Sequence, residues 1–183
     1  MNLGLAGKVA LVAASSQGIG KAIAQELVKE GTNVMISGRD AQKLSMVKEE
    51  LASKGKGKGK VEFCKADLTK KEEIEALVDE TVNTFGTIDI LVNNTGGPPA
   101  GTFDTITDEL WQEAFELTLL SYIRLIRSSL PYLRENGGKI INIASISIKE
   151  PIPGLILSNT LRTGIVGLAK TLAQELADDG ILI

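Results

Sequence analysis

The stretch Lys8-Val9-Ala10-Leu11-Val12-Ala13, followed by Ala14-Ser15-Ser16-Gln17-Gly18-Ile19-Gly20, decides the fold. Its first part is a short apolar run that predicts a buried strand over residues 9–13. From Gly18 onward Ile19, Ile23, Leu27 and Val28 recur at helical spacing, so a helix opens directly after the turn. Backbone N–H groups in such a turn can hold a pyrophosphate at the positive end of the helix dipole. By itself the signal is weak, because Ser16 and Ile23 stand where G-x-G-x-x-G would need glycine.

Working outward, the same alternation repeats. Strands are predicted over 33–37, 61–64, 88–92 and 139–143. Between them lie amphipathic helices. One is capped by Asp40 and carries Leu44, Val47 and Leu51; another is capped by Thr69 and carries Ile74, Leu77, Val78 and Val82. A long helix is predicted over 108–133 and a last one over 157–177, before Gly180-Ile181-Leu182-Ile183. Strand and helix in turn at this spacing specify an α/β fold, a parallel sheet doubly wound with helices on both faces. Right-handed crossovers then line up the strand C-terminal ends along one edge, where ligands bind.

Composition narrows the function. The 183 residues suit one domain, and 43% apolar content is enough for a core. Twenty Lys and Arg against 23 Asp and Glu argue against a general nucleic-acid binder. A single cysteine, Cys64, excludes an internal disulfide framework and suits a reducing cytoplasm. The absence of histidine excludes His-based nucleophile triads, His proton shuttles and Cys/His zinc sites, so no metal is expected. No apolar run approaches the roughly 18 residues of a membrane span, and Lys8 interrupts what would be a signal sequence. The run Lys54-Gly55-Lys56-Gly57-Lys58-Gly59-Lys60 reads as a solvated, flexible loop rather than a phosphate site.

Several motifs in order make the chain resemble the short-chain dehydrogenase/reductase family over essentially its whole length. The family turn T-G-x-x-x-G-x-G corresponds to Ala13-Ala14-x-x-x-Gly18-x-Gly20, with Ala14 replacing the first glycine. The adenine-contacting aspartate corresponds to Asp67 in Ala66-Asp67-Leu68-Thr69, and N-N-A-G corresponds to Asn93-Asn94-Thr95-Gly96. The resemblance implies a Rossmann-type domain over 1–183 that binds a nicotinamide dinucleotide. The cofactor contacts it implies are Ala14, Ser16, Gln17, Gly18, Ile19, Gly20, Asp67, Leu68, Asn93 and Gly96, with Arg162 on the ribose. Gly38 stands where an NAD-type site places an acid, and Arg39 follows it; a guanidinium suits a 2′-phosphate, so NADP(H) is expected over NAD(H).

The family's catalytic Ser, Tyr, Lys and Asn fall on Ser145, Ser158, Arg162 and Thr118, so one type in four is kept. An aliphatic hydroxyl is a far weaker acid than a phenol, and an arginine does not release its proton. Substitutes would have to come from carboxylates, Lys149, water or Tyr122, although Tyr122 reads first as a helix-interface aromatic. The segment 96–101, with two prolines among glycines, is either a wall of the nicotinamide pocket or a plain connection. Two functions stay open: an NADP(H)-dependent oxidoreductase acting on a hydroxyl/carbonyl pair (a sugar, a 3-oxoacyl compound or another small carbonyl), or a dinucleotide-binding descendant with impaired catalysis. The resemblance also implies a homodimer or homotetramer through the two long helices. It further implies that residues 180–183 begin a sixth strand, with substrate-covering helices to follow, so a truncated chain lacking its C-terminal substrate-binding part is expected.

Overall fold

The computed structural model describes residues 2–55 and 58–183. Among them, five parallel strands form one sheet in the order β3-β2-β1-β4-β5. These are β1 (Val9–Val12), β2 (Asn33–Gly38), β3 (Val61–Lys65), β4 (Ile90–Asn93) and β5 (Lys139–Asn142). The helices between them are α1 (Gly18–Lys29), α2 (Ala41–Gly55), α3 (Lys71–Phe85), α4 (Asp108–Phe115) and α5 (Ser121–Asn136), with α6 (Ile156–Glu175) following β5.

The strands are apolar on both faces because both faces are covered. Successive residues of a strand point to opposite sides of the sheet. Leu11, Met35, Leu91 and Ile140 therefore join the core formed with α3, α5 and α6, which also holds Ile74, Leu77, Leu125 and Leu133. Ala10, Val12, Val34, Ile36 and Val92 join the opposite core, with Ala24 and Val28 of α1 and Leu44 and Leu51 of α2. The central position of β1 follows: all four of its residues are buried. Strand order reverses beside β1, which opens the crevice at its C-terminal end.

Several local expectations are met or corrected. Asp40 caps α2 as expected, its Oδ1 accepting the N–H of Lys43 at 3.0 Å. Thr69 does not cap α3, which opens at Lys71 after Lys70. Its hydroxyl instead donates to Asp67 Oδ1 at 2.9 Å, a charged acceptor and the stronger partner. The helix expected over 108–133 is interrupted by one wide π turn at Glu116–Leu120. The hydroxyls of Thr118 and Ser121 donate there to the carbonyls of Ala114 and Leu117, a competition that bends helices. The basic run is less loop-like than expected. Lys54 and Gly55 end α2. Lys58 N–H donates to Gly55 O at 3.1 Å, and Gly59 packs against Thr32 O so closely that no side chain fits. Lys56 and Gly57 of that run lie outside the described residues. Leu182 bridges to Lys139 in parallel sense, so the last residues run along β5 where a sixth strand was expected. No helix among the described residues is long and apolar enough to cross a membrane.

Candidate active site

The β1–α1 turn is held from behind. Ser15, fully buried, donates to Val12 O at 2.6 Å and accepts the N–H of Ser37 at 3.0 Å. The Nδ2 of Asn94 donates to Ala13 O at 3.2 Å and to Ala14 O at 3.0 Å, tying β4 to the turn. Gly20 has to be glycine, because a Cβ there would sit 2.7 Å from both Ala14 O and Asn94 Nδ2. Ala14 takes φ +45°, the only left-handed non-glycine among the described residues. It occupies the position where the family uses glycine, and that conformation costs an L-residue about 1–2 kcal/mol.

In front of this turn lies a polar cleft of about 730 Å³. Ala14, Ser16, Gln17 and Gly18 line it on one side, Gly38, Arg39, Asp67 and Leu68 at one end, and Gly96 and Gly97 elsewhere. Helix α1 opens onto it with no side-chain cap and no acid in its first turn. Its first N–H groups have no partner within the helix, so the cleft presents a partial positive charge to a phosphate. These residues fit a dinucleotide. At Asp67 burial pushes the carboxyl up, but the N–H and hydroxyl of Thr69, with the charges of Arg39 and Lys70, hold it below the ordinary carboxylate range. Four expected contacts, Ile19, Gly20, Asn93 and Arg162, stand away from the cleft lining. Ile19 is 62% exposed, and Asn93 is fully buried with its Nδ2 donating to Asn142 Oδ1 at 2.8 Å. Glu113, Glu116 and Leu117 also line the cleft, and sequence reasoning had not singled them out.

Beyond Gly96 the cleft meets a buried cation. Arg162 on α6 is 7% exposed and donates from Nη1 to Ile143 O at 3.3 Å and from Nη2 to Gly96 O at 3.2 Å. Among the described residues none of its hydrogen bonds goes to a carboxylate; the Ile143 and Gly96 carbonyls and the Tyr122 phenol oxygen surround the charge. Tyr122 donates to the same Ile143 O at 2.7 Å. Burial pushes the Tyr122 phenol up, against a lowering by the nearby Arg162. A buried phenol with its hydrogen already spent and its acidity reduced is a packing residue at this point. Thr118 lies apart, its hydroxyl donating to Ala114 O at 2.6 Å in its own helix.

At the end of β5 three hydroxyls stand in line. Ser145 Oγ accepts from the N–H of Ser147 at 3.1 Å and from its hydroxyl at 2.9 Å. Ser147 Oγ lies 3.4 Å from Ser158 Oγ. Ser145 and Ser158, thirteen residues apart in sequence, are thus joined through a residue that sequence reasoning missed. Its only signal is the repeat Ser145-Ile146-Ser147. Segment 96–101 ends against α6: Gly101 N–H donates to Gly154 O at 2.7 Å and Gly101 pairs with Leu155.

The sequence model described as short chain dehydrogenase matches residues 8–183. The chain belongs to the short-chain dehydrogenase family. It is 38% identical over 175 residues to an uncharacterized oxidoreductase of Bacillus subtilis, covering 95% of this chain and 65% of that one. L-sorbose reductase from Gluconobacter frateurii, solved with NADPH and L-sorbose, superposes with a TM-score of 0.94 at 35% identity, over 99% of this chain and 68% of that one. An NADPH-bound short chain oxidoreductase from Pseudomonas aeruginosa, described as containing an atypical catalytic center, gives a TM-score of 0.90 at 29% identity, over 95% and 68%. The chain spans about two thirds of the length of these relatives.

Proposed function

We propose that this chain is the dinucleotide-binding unit of an NADP(H)-dependent oxidoreductase acting on a hydroxyl/carbonyl pair. The observation that carries the reading is the polar cleft, with the uncapped start of α1 on one side and Arg39 at one end. Both the sorbose reductase and the P. aeruginosa enzyme bind NADPH, and the latter does so with an atypical catalytic center. Ser16, Gln17 and Gly18 would hold the pyrophosphate, Asp67 the adenine and Arg39 the 2′-phosphate. The nicotinamide, when bound, supplies the hydride. This chain's own residues then orient the substrate and supply the field. Ser145 holds the substrate oxygen, and Arg162 holds the ribose and adds positive charge where an alkoxide develops. Ser158, or a water at its side, is left to manage the proton. A thermal-shift titration tests the cofactor half: stabilisation by NADPH should exceed that by NADH, and Arg39→Ala should abolish the difference.

A second reading, a binding module with impaired catalysis, is favoured by one observation. The phenol nearest the site, Tyr122, has its hydrogen committed to Ile143 O. Strong NADPH binding without turnover over sugars, 3-oxoacyl thioesters and ketones would select it. Association into a homodimer or homotetramer through the long helices, in a reducing cytoplasm, completes the proposal; light scattering of the purified chain tests the assembly.

A further inference from the structure

Counting donors and acceptors along the three-serine line gives it a direction. A serine hydroxyl has one hydrogen to give and two lone pairs to receive. Ser145 Oγ receives two hydrogen bonds, from the N–H and the hydroxyl of Ser147, so both lone pairs are used. Its own hydrogen is given to no acceptor among the described residues, and Ser145 is only half-buried. The one hydrogen of Ser147 is spent on Ser145, so towards Ser158 it can act only as an acceptor. Across the 3.4 Å contact Ser158, 8% exposed, is therefore the one that can give a hydrogen. Ser147 is 2% exposed and sits in a tight turn, Ile146–Ile148, which Ser145 caps.

We propose that Ser147 is a positioning residue that fixes the Ser145 hydroxyl as a hydrogen-bond donor towards the substrate oxygen, and that Ser158 acts on Ser145 only through it. This rests on the reading of Ser145 as the residue facing substrate. It also assigns polarity to the site. Ser145 presents a hydrogen, suited to a carbonyl oxygen, while Ser158 presents lone pairs, suited to a substrate hydroxyl. A compound carrying a hydroxyl next to its carbonyl, as ketoses do, meets both.

Neutron diffraction of the deuterium-exchanged full chain reads the direction without needing turnover. The expected result places the Ser158 deuteron on the line to Ser147, that of Ser147 on the line to Ser145, and that of Ser145 pointing away from both. A Ser145 deuteron pointing at Ser147 overturns the proposal. Kinetics with 1,3-dihydroxyacetone as probe and NADPH supply the second readout. Ser147→Ala should lower kcat roughly tenfold with the KM for NADPH unchanged within about twofold, and Ser147→Thr, which keeps the hydroxyl, should restore kcat. An unchanged kcat in Ser147→Ala, or a Ser147→Thr chain as slow as Ser147→Ala, overturns it. A wild-type chain that does not oxidise NADPH with this probe counts against the reductase reading, and the neutron map then decides the direction of the line alone.

Discussion

The turn after β1 and the end of β5 lie on the same edge of one sheet, yet they are built by opposite rules. The turn is over-determined. Ser15, Ser37 and Asn94 brace it from three directions, and Gly20 is admitted only because it lacks a Cβ. That redundancy lets Ala14 hold a left-handed conformation where the family uses glycine. The end of β5 has little such bracing. Its chemistry runs through single links, one hydroxyl to the next and one guanidinium to two carbonyls. A braced site tolerates an exchanged residue and keeps its job, whereas a site of single links changes its chemistry when one residue changes.

The most damaging way to break this contrast is Gly20→Ala. The new methyl meets the Ala14 carbonyl and the Asn94 amide at 2.7 Å, and neither can withdraw without undoing the turn. A loss of about 1–3 kcal/mol in stability is expected, together with loss of the NADPH-induced thermal shift. Denaturant unfolding with and without NADPH measures both. Next comes Arg162→Met, which removes a buried cation that donates to the Ile143 and Gly96 carbonyls. NADPH affinity should fall about tenfold, the scale of one charged hydrogen bond, while the turn stays intact; isothermal titration gives the value. Ala14→Gly should act in the other direction. Relief of the left-handed strain exceeds the added freedom of the unfolded chain by about 1 kcal/mol or less, read as a higher Tm. If the Tm falls, the bracing has adapted to the alanine.

The smallest effect is on pH. Asp67 is held below its ordinary value in the folded chain, so the stability it contributes is present above the unfolded pKa and lost as pH falls through the folded one. Asp67 is part-buried at the edge of an open cleft, and screening by solvent there limits this to below about 1 kcal/mol. The Tm gap between wild type and Asp67→Asn should close as pH falls below about 4.

The sequence made the scaffold legible for a plain physical reason. A strand buried on both faces has to be apolar throughout, and runs such as 9–13 and 90–92 have few other uses. The glycine turn, Asp67 and Arg39 stood out in the sequence because, on the proposed reading, each would serve the ligand through a residue type that few others can replace. What stayed hidden were groups acting through direction rather than type. Ser147 is one serine among many until its hydrogen is accounted for, and Thr118 looks available until its hydroxyl is found on Ala114 O. Thr69 was misplaced as a helix cap because sequence spacing does not register the charged acceptor two residues before it. Tyr122 could be placed on the right helix face from its spacing, but not its pairing with Ile143 O, which depends on how α5 meets β5.

The segment between Gly96 and Gly101 carries one more consequence. One end is held through the Gly96 carbonyl by Arg162, and the other through Gly101 by Gly154 and Ile156. Both fastenings belong to α6 or the residue leading into it, although the segment itself leaves from β4. It is an arch with both feet on one beam. A small slide of α6 would carry the whole span along without bending it, so the wall beside the cleft inherits its mobility from a helix rather than from its own glycines. Amide exchange at Gly101 should then follow the opening of α6 and not the slower opening of the sheet from which the segment departs.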